Sequence, residues 1–341
     1  MTLSPRNLYR RCVFFCALLL CSSLMAQQPP PSGTAGSGQS QSEDQSMGTL
    51  RVNVDVVNVY CNVKDKRGAL IPDLKRDDFQ LTEDGKPQSV KYFATESNQP
   101  LTLGLLMDTS GSMIAVIPAE KEVAGAFLDQ VITTKDLAFF MTFDIDTQLL
   151  QDMTSTPRTI RRAMEEAHVR QPQGGPSITG VGQGPFPTSG NQPGTTLYDA
   201  IYLASTEELS QEVGRKALII MSDGVDEGSK VRLSQAIEAA QKSDAICYVL
   251  LFTHGIYGTR GEGEMRRVSE ETGGHLFEVS DKYDKLRQAF DQIASELRTQ
   301  YALGYTPTNN VKDGTFRKIE IKTKEGHRVQ ARRGYYAIAS R

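Results

Sequence analysis

Residues 101–113 read LTLGLLMDTSGSM, an apolar run that ends at Asp108 and continues into a short polar loop. A short apolar run bounded by turn residues is typical of a strand that is buried on both faces of a sheet. Residues 114–132 follow the loop, with Val123 and Phe127 on one helical face. This stretch therefore predicts a buried strand, a polar loop at its carboxyl end and a helix.

The alternation of strands and helices continues to residue 300. It predicts further strands at 137–143, 216–221, 246–252 and 276–279, and further helices at 157–168, 197–212, 231–242 and 284–300. Strands that alternate with helices predict an α/β fold that is doubly wound, with a mainly parallel sheet and helices on both faces. Within this region, residues 171–194 are rich in Gly and Pro and are interpreted as a flexible insertion.

Two shorter β-rich segments flank residues 100–300. Residues 49–96 form an N-terminal β unit, in which Asp84 and Gly85 lie between two alternating runs and predict a hairpin turn. Residues 301–341 form a C-terminal β extension with too little mass for a domain of its own. We hypothesise that the two flanks pack together as one β-sandwich, with the α/β region inserted between them.

The N-terminal region predicts export. Three arginines precede an apolar run of about ten residues, and small residues follow it up to Ala26, which is the layout of a secretory signal peptide over residues 1–26. The run is too short for a membrane span, which needs about twenty residues, so no transmembrane span is expected in the mature chain. Residues 27–48 consist mainly of Pro, Gly, Ser and Gln, which predicts a disordered linker. The protein is thus expected in the periplasm, outside the cell or at the envelope.

Composition excludes several classes of function. The chain has 38 Lys and Arg against 41 Asp and Glu, a net charge of −3, and no basic stripe, so nucleic acid is not an expected partner. Its histidines and cysteines lack the spacing of a zinc or haem site. Outside the signal peptide, Cys61 and Cys247 either form one disulfide in an oxidising compartment or remain buried free thiols, and we favour free thiols.

Three polar motifs are predicted to meet at the carboxyl edge of the parallel sheet, where open α/β sheets bind their ligands. Their oxygen-bearing side chains are those of Asp108, Ser110 and Ser112 after the first strand, of Asp223 after a later strand, and of Thr195 or Thr196 before a helix. Such hard oxygen ligands suit Mg²⁺, with Mn²⁺ and Ca²⁺ as alternatives, better than they suit zinc. Singly, each motif also fits a turn or a helix N-cap, but three at one edge favour a metal site.

The three motifs read DTSGSM (108–113), GTTLYDA (194–200) and MSDG (221–224). In this order and context they resemble the metal-ion-dependent adhesion site of von Willebrand factor A (VWFA) domains. The resemblance covers about residues 100–300, and the flanks look like those of exported bacterial VWFA-related proteins. It implies that the α/β region has the fold of a VWFA domain and that its metal-binding loop is intact.

The resemblance also implies a role for each site residue. The side chains that would bind the ion directly are those of Ser110, Ser112 and Thr195, and those that would act largely through bound water are Asp108 and Asp223. Thr195 is preferred to Thr196 because of its position before the LYDA sequence, and Pro193 stands where the family usually has its first glycine.

These roles imply an exported, non-enzymatic module for protein binding or cell adhesion. An ion whose carboxylates lie in its outer shell keeps much of its positive charge and one open position, which an Asp or Glu of a partner protein can fill. In the family, ligand binding is linked to a shift of the last helix, here about residues 284–300. The sequence leaves the identity of the partner and the oligomeric state open.

Three other functions are alternatives. Asp108-Thr-Ser-Gly resembles the nucleophile triplet of aspartic proteases, but that chemistry needs a second triplet and a β-fold. Phe143-Asp-Ile-Asp-Thr147 resembles the nucleophile loop of haloacid dehalogenase-type phosphotransferases, but Thr147 falls one place early, so a turn at the end of a strand is favoured. The third alternative is a structural envelope protein that engages no metal-dependent ligand, which the intact loop disfavours.

Overall fold

The structure is a computed structural model that describes residues 56–95, 99–169, 194–253, 261–279 and 283–338. The predicted signal peptide and linker lie outside the described residues, as does all of the predicted insertion at 171–194 except Gly194. Among the described residues, no helix combines the length and the apolar content that crossing a membrane requires.

The elements are numbered along the chain within these residues. The strands are β1 (Val57–Lys64), β2 (Phe79–Glu83), β3 (Lys86–Gln88), β4 (Val90–Thr95), β5 (Leu101–Asp108), β6 (Leu137–Phe143), β7 (Thr147–Thr154), β8 (Arg215–Ser222), β9 (Ala245–Phe252), β10 (Leu276–Val279), β11 (Tyr301–Tyr305), β12 (Phe316–Thr323), β13 (Arg328–Ala331) and β14 (Gly334–Tyr336). The helices are α1 (Ile117–Val131), α2 (Pro157–Glu166), α3 (Leu197–Leu203), α4 (Leu233–Lys242), α5 (Glu262–Thr272) and α6 (Tyr283–Arg298).

A six-stranded sheet forms the centre of the α/β region, in the order β10-β9-β8-β5-β6-β7. All neighbouring strands are parallel except β7, which pairs antiparallel with β6 at the edge. Every residue of β5, β8 and β9 is buried, as expected for parallel strands that are covered on both faces. Helices α1, α2 and α6 cover one face, and α3, α4 and α5 cover the other. The predicted doubly wound, mainly parallel fold is therefore confirmed.

Gly104 lies in the middle of β5, where the neighbouring side chains leave no room for a methyl group. A Cβ atom at this position would lie 2.4 Å from Cζ of Phe139 and 2.6 Å from Cδ2 of Leu218, on the two strands that flank β5. Because a packed core accepts extra volume only by shifting its neighbours, we expect Gly104→Ala to lower the free energy of unfolding by about 1–3 kcal/mol. Urea denaturation measures this loss. Gly263→Ala is the matched control, because a Cβ there meets no atom within 4 Å. A Gly104→Ala protein as stable as wild type would contradict the packing described.

Two elements of the α/β region were not predicted. Strand β7 is an edge strand whose residues are largely half-buried, so its sequence shows neither an apolar run nor a strict alternation. Helix α5 buries only Met265 and Val268 as large apolar side chains, which gives a weak helical period. Two glycines, Gly261 and Gly273, flank this helix with φ angles of 81° and 90°. They therefore mark the ends of a helix that the sequence analysis overlooked.

The helix predicted at 197–212 is shorter than expected. Helix α3 ends at Leu203, and a π-helical turn follows at Ala204–Glu208. In this turn the hydroxyls of Ser205 and Thr206 donate to carbonyl oxygens four residues earlier, at 2.7 and 2.9 Å. Ser and Thr side chains that bond back to the backbone in this way compete with the helical hydrogen bonds and bend helices. The predicted helix is therefore present, but its helical residues end at Glu208.

The two flanks form one β-sandwich, as hypothesised. Its sheets have the orders β13-β1-β11-β4 and β14-β12-β2-β3. Each sheet contains strands from both flanks, because β1 and β4 pair with β11, and β2 pairs with β12. Asp84 and Gly85, with φ angles of 48° and 78°, join β2 to β3 in the predicted hairpin. The apolar core between the sheets includes Val59, Cys61, Leu81, Tyr301 and Leu303.

Strand β1 is buried on both faces and joins the sandwich to the α/β layers. Cys61 and Val63 pack into the sandwich core. Tyr60, whose side chain lies on the opposite face of β1, packs into the core that α1, α2 and α6 form on the central sheet. Lys64 donates from Nζ to Oε1 of Glu296 on α6, at 2.7 Å. The sandwich and the α/β layers therefore share buried surface along this strand.

Cys61 and Cys247 are both free and buried, and they lie in different cores. Cys61 belongs to the sandwich core, and Cys247 to the core beneath α3, α4 and α5. Burial raises the pKa of both thiols to about 12, so neither is a thiolate nucleophile near neutral pH. The structure thus agrees with the favoured interpretation of two free thiols.

Candidate metal centre

The candidate centre begins at Asp108, the last residue of β5. Its side chain is 0% exposed, and its carboxylate accepts two hydrogen bonds. The backbone N–H of Ser110 donates to Oδ1 at 2.9 Å, and the hydroxyl of Ser222 donates to Oδ2 at 2.6 Å. Because Ser222 ends the neighbouring strand β8, these bonds fix the carboxylate across two strands. The role of Ser222 was missed in the sequence, where only its place in the MSDG motif draws attention to it.

The loop after Asp108 holds two hydroxyl groups side by side. The Oγ atoms of Ser110 and Ser112 lie 3.1 Å apart on the solvent side of the loop. A 3₁₀ turn over Gly111–Met113 sets this arrangement, and the N–H of Met113 donates to the carbonyl of Ser110 at 3.0 Å. The fully buried side chain of Met113 anchors the turn in the core. The loop therefore brings the hydroxyls of both serines to one point.

The two adjacent threonines have different environments. Thr196 is 6% exposed, its N–H donates to the carbonyl of Asp144 at 2.7 Å, and its hydroxyl hydrogen-bonds with that of Thr147 at 3.3 Å. Thr195 is half-buried, and its carbonyl accepts from the N–H groups of residues 227–228 at 3.1 and 3.0 Å. Its hydroxyl has no hydrogen-bond partner within the part of the chain that the structure describes. Of the two hydroxyls, that of Thr195 is the one available to a ligand.

Asp223 is the first residue after β8 and is half-buried. Its Oδ1 accepts from the N–H of Val225 at 3.1 Å, which closes a tight turn. Further along this loop, Oδ1 of Asp226 accepts from the N–H of Tyr198 in α3 at 3.2 Å. The loop that carries Asp223 is therefore tied to the helix that follows Thr195.

Burial dominates the electrostatics of Asp108. The pKa of this carboxyl group is raised from 3.8 to about 7, mainly by burial and in smaller part by the charge of Asp223. The hydrogen bonds from Ser110 and Ser222 favour the ionised form and lower the pKa in part. A divalent cation at this edge would offset both the burial and the repulsion, and so favour the carboxylate.

The residues present fit a divalent cation that prefers oxygen. The donors are the carboxylates and hydroxyls that two neighbouring strands and the start of α3 carry to one edge of the sheet. Within the described residues, no group of three or more His, Cys, Asp and Glu could hold a metal ion. The fit therefore depends on the serine and threonine hydroxyls, which suit Mg²⁺, Mn²⁺ or Ca²⁺.

A second buried carboxyl group, that of Glu120 in the first turn of α1, was not predicted from the sequence. Glu120 is 0% exposed, and neither of its carboxyl oxygens has a hydrogen-bond partner. Burial, with a contribution from the charge of Asp108, raises its pKa well above the ordinary value. The available signal was its spacing, because Glu120 lies three residues before Val123, on the face predicted to be apolar.

The segment from Phe143 to Thr147 forms the turn that was favoured over a phosphotransferase loop. Strand β6 ends at Phe143, and β7 begins at Thr147. The N–H of Asp144 donates to the carbonyl of Asp146 at 3.1 Å, and the N–H of Asp146 donates to Oδ1 of Asp144 at 3.2 Å. Asp144 is 8% exposed, and its carboxylate serves the turn.

Comparison with known proteins gives distant similarities. No protein-family model matches the chain. Among curated proteins, it is similar to the calcium-activated chloride channel regulator 1 of Bos taurus, with 25% identity over 248 residues. The match covers 70% of this chain and 24% of that protein, so this chain spans about a quarter of the relative's length.

Two solved structures illustrate the similarity in three dimensions. A von Willebrand factor type A structure from Catenulispora acidiphila is 11% identical, with a TM-score of 0.46, and the match covers 84% of this chain and 74% of that chain. The proximal thread matrix protein 1 from the mussel byssus, with a zinc-occupied MIDAS motif, is 14% identical with a TM-score of 0.47. That match covers 62% of this chain and 48% of that chain. The fold assignment for this chain rests on its own strand order and register.

Proposed function

We propose that the chain is an exported VWFA-type module that binds a protein partner through a divalent cation, in the first place Mg²⁺. The observation that carries the proposal is the pair of hydroxyls of Ser110 and Ser112, 3.1 Å apart and directly after the buried carboxylate of Asp108. The Thr195 hydroxyl and the Asp223 carboxylate, from adjacent loops, supply the remaining oxygen donors. This donor set favours a hard cation over zinc.

Each residue has a distinct role in this proposal. The side chains that contact the cation are those of Ser110, Ser112 and Thr195, and those that hold it through water are Asp108 and Asp223. The bound cation supplies an electrophilic position that an Asp or Glu carboxylate of the partner occupies. Ser222 holds Asp108 in place through the 2.6 Å hydrogen bond, so that little reorganisation accompanies binding.

The proposal assigns binding rather than catalysis to this edge of the sheet. Asp144, the nucleophile of the phosphotransferase alternative, is engaged in the turn between β6 and β7. The two described thiols are buried with raised pKa values. The hydroxyls of Ser110 and Ser112 lie 3.1 Å apart at this edge, which would suit two ligands of one cation.

We expect Mg²⁺ or Mn²⁺ to raise the melting temperature of the full chain. A ligand that binds only the folded state stabilises it, by about 2.7 kcal/mol at one hundred times its Kd. Thr195→Ala should remove most of this gain. Thr196→Ala is the matched control and should keep the gain, because the parent hydroxyl already bonds to Thr147. Calorimetry with metal and with chelator measures the difference for each protein.

The outcomes separate the proposed function from its rivals. Identical melting of the wild type with metal and with chelator would reject the metal-dependent module in favour of a structural envelope protein. An equal loss of the gain in both threonine variants would reject the assignment of Thr195. Partner binding is then tested with the immobilised wild type and the immobilised Asp108→Ala variant. A partner should be retained by the wild type alone and should elute when a chelator is added.

A further inference from the structure

The carboxyl group of Glu120 is buried and lacks a partner. It is 0% exposed, and both Oε1 and Oε2 are without a hydrogen bond. Burying a polar group without a compensating hydrogen bond costs about 1–3 kcal/mol by protein mutational data. Such groups are rare in native proteins, and each one indicates either a functional use or an ion or water that satisfies it.

The position of Glu120 would suit an apolar side chain. One face of α1 is buried along its length and consists of Glu120, Val123, Ala124 and Phe127. The other three pack into the apolar core against the central sheet. Glu120 is the member of this face nearest to the DTSGSM loop in the chain, and its N–H donates to the carbonyl of Val116 at 3.0 Å. A leucine at this position would complete the apolar face at no electrostatic cost.

Glu120 lies in the first turn of α1, the helix that follows the Asp108 loop. Both side chains are fully buried, and the charge of Asp108 adds to the effect of burial in raising the pKa of the Glu120 carboxyl group. Two buried carboxyl groups of one region repel each other when both are ionised, which destabilises the fold. A cation bound at the DTSGSM loop would reverse the sign of this effect, since each negative charge then attracts the ion.

We propose that Glu120 is a positioning residue for the cation, whose buried charge strengthens the hold on the ion. This inference rests on the proposed function, because it assumes a cation at the Asp108 loop. It extends the set of groups that determine metal affinity to a residue on the inner side of α1, outside the three motifs. Glu120 exerts this effect through its charge.

The test compares metal affinity with the stability of the metal-free protein, using Mn²⁺ as the probe. In Glu120→Gln, the shape of the side chain is kept and its charge is removed. We expect the Kd for Mn²⁺ to rise about tenfold or more, as the loss of one buried charge near a divalent ion implies. The metal-free variant should be at least as stable as wild type. Glu122→Gln is the matched control on the exposed side of α1, and it retains the acceptor for the Tyr283 hydroxyl.

The possible outcomes decide between distinct conclusions. An unchanged Kd in Glu120→Gln, while Asp108→Ala abolishes Mn²⁺ binding, would overturn this inference and leave the proposed function intact. A destabilised Glu120→Gln protein with unchanged affinity would likewise assign Glu120 a structural role only. If the wild type binds no Mn²⁺, both the proposed function and this inference fail. A weaker Kd in Glu120→Gln but not in Glu122→Gln would support the inference.

Discussion

Lys64→Met is expected to lower the free energy of unfolding by about 3–5 kcal/mol, because it leaves the buried carboxylate of Glu296 without its counter-ion. The Lys64 and Glu296 side chains are 8% and 0% exposed, and Nζ lies 2.7 Å from Oε1. Gln292 and Gln330 also donate to the carboxylate, both at 3.0 Å, but neutral amides do not balance its charge. Urea unfolding of the full chain measures the loss.

A second substitution separates the charge from the packing. In the double variant Lys64→Met with Glu296→Gln, no buried charge is left unpaired, and the amide still accepts from Gln330. We expect it to regain at least half of the lost stability. Lys322→Met is the matched control, since the Lys322–Glu320 pair is 67% and 51% exposed and such pairs contribute about 0–1 kcal/mol. Equal losses from Lys64→Met and Lys322→Met would contradict a buried ion pair between β1 and α6.

Asp108→Asn is expected to stabilise the protein in chelator above neutral pH while it abolishes stabilisation by metal. The pKa of Asp108 is raised from 3.8 to about 7, so between these values the folded chain keeps a proton that the unfolded chain has released. The free energy of unfolding therefore falls as the pH rises through this window, and the full loss of stability is present above it. A shift of this size corresponds to about 4 kcal/mol as an upper limit.

We thus expect Asp108→Asn to be about 2–4 kcal/mol more stable than wild type at pH 8 in chelator, and within about 1 kcal/mol of it near pH 4.5. With saturating Mg²⁺ the wild type gains stability and the variant does not. Denaturation at the two pH values, with chelator and with metal, gives the four comparisons. A variant that is less stable than wild type in chelator at pH 8 would refute the raised pKa.

The parts of the fold that were predictable are those with strong local patterns. The strands at 137–143 and 276–279 were predicted with their observed bounds, because each is a short stretch in which all residues but one are apolar. Strand β7 and helix α5 were not predicted, because an edge strand and a solvated helix bury too few apolar residues to show a period. The sandwich could be hypothesised because the C-terminal flank is too small to form a domain of its own. Its strand pairing could not be predicted.

In the candidate centre, too, the local features could be predicted from the sequence and the long-range contacts could not. Asp108, Ser110 and Ser112 stand in one short motif, so their proximity follows from the sequence. The bond between Ser222 and Asp108 joins residues 114 positions apart, and the ion pair of Lys64 with Glu296 joins residues 232 positions apart. Such contacts depend on strand order and on which helix face is buried, which no local pattern encodes.

The pairing of β4 with β11 has a mechanical consequence. The chain leaves the sandwich for the α/β region after Thr95 and returns at Tyr301, and these two residues are partners at one end of the ladder between β4 and β11. A tensile force applied between the two flanks is therefore carried by the strands of the sandwich. The α/β region lies to the side of this load path, attached at adjacent points. The edge that carries the candidate metal centre would remain unstretched while the sandwich bears the load.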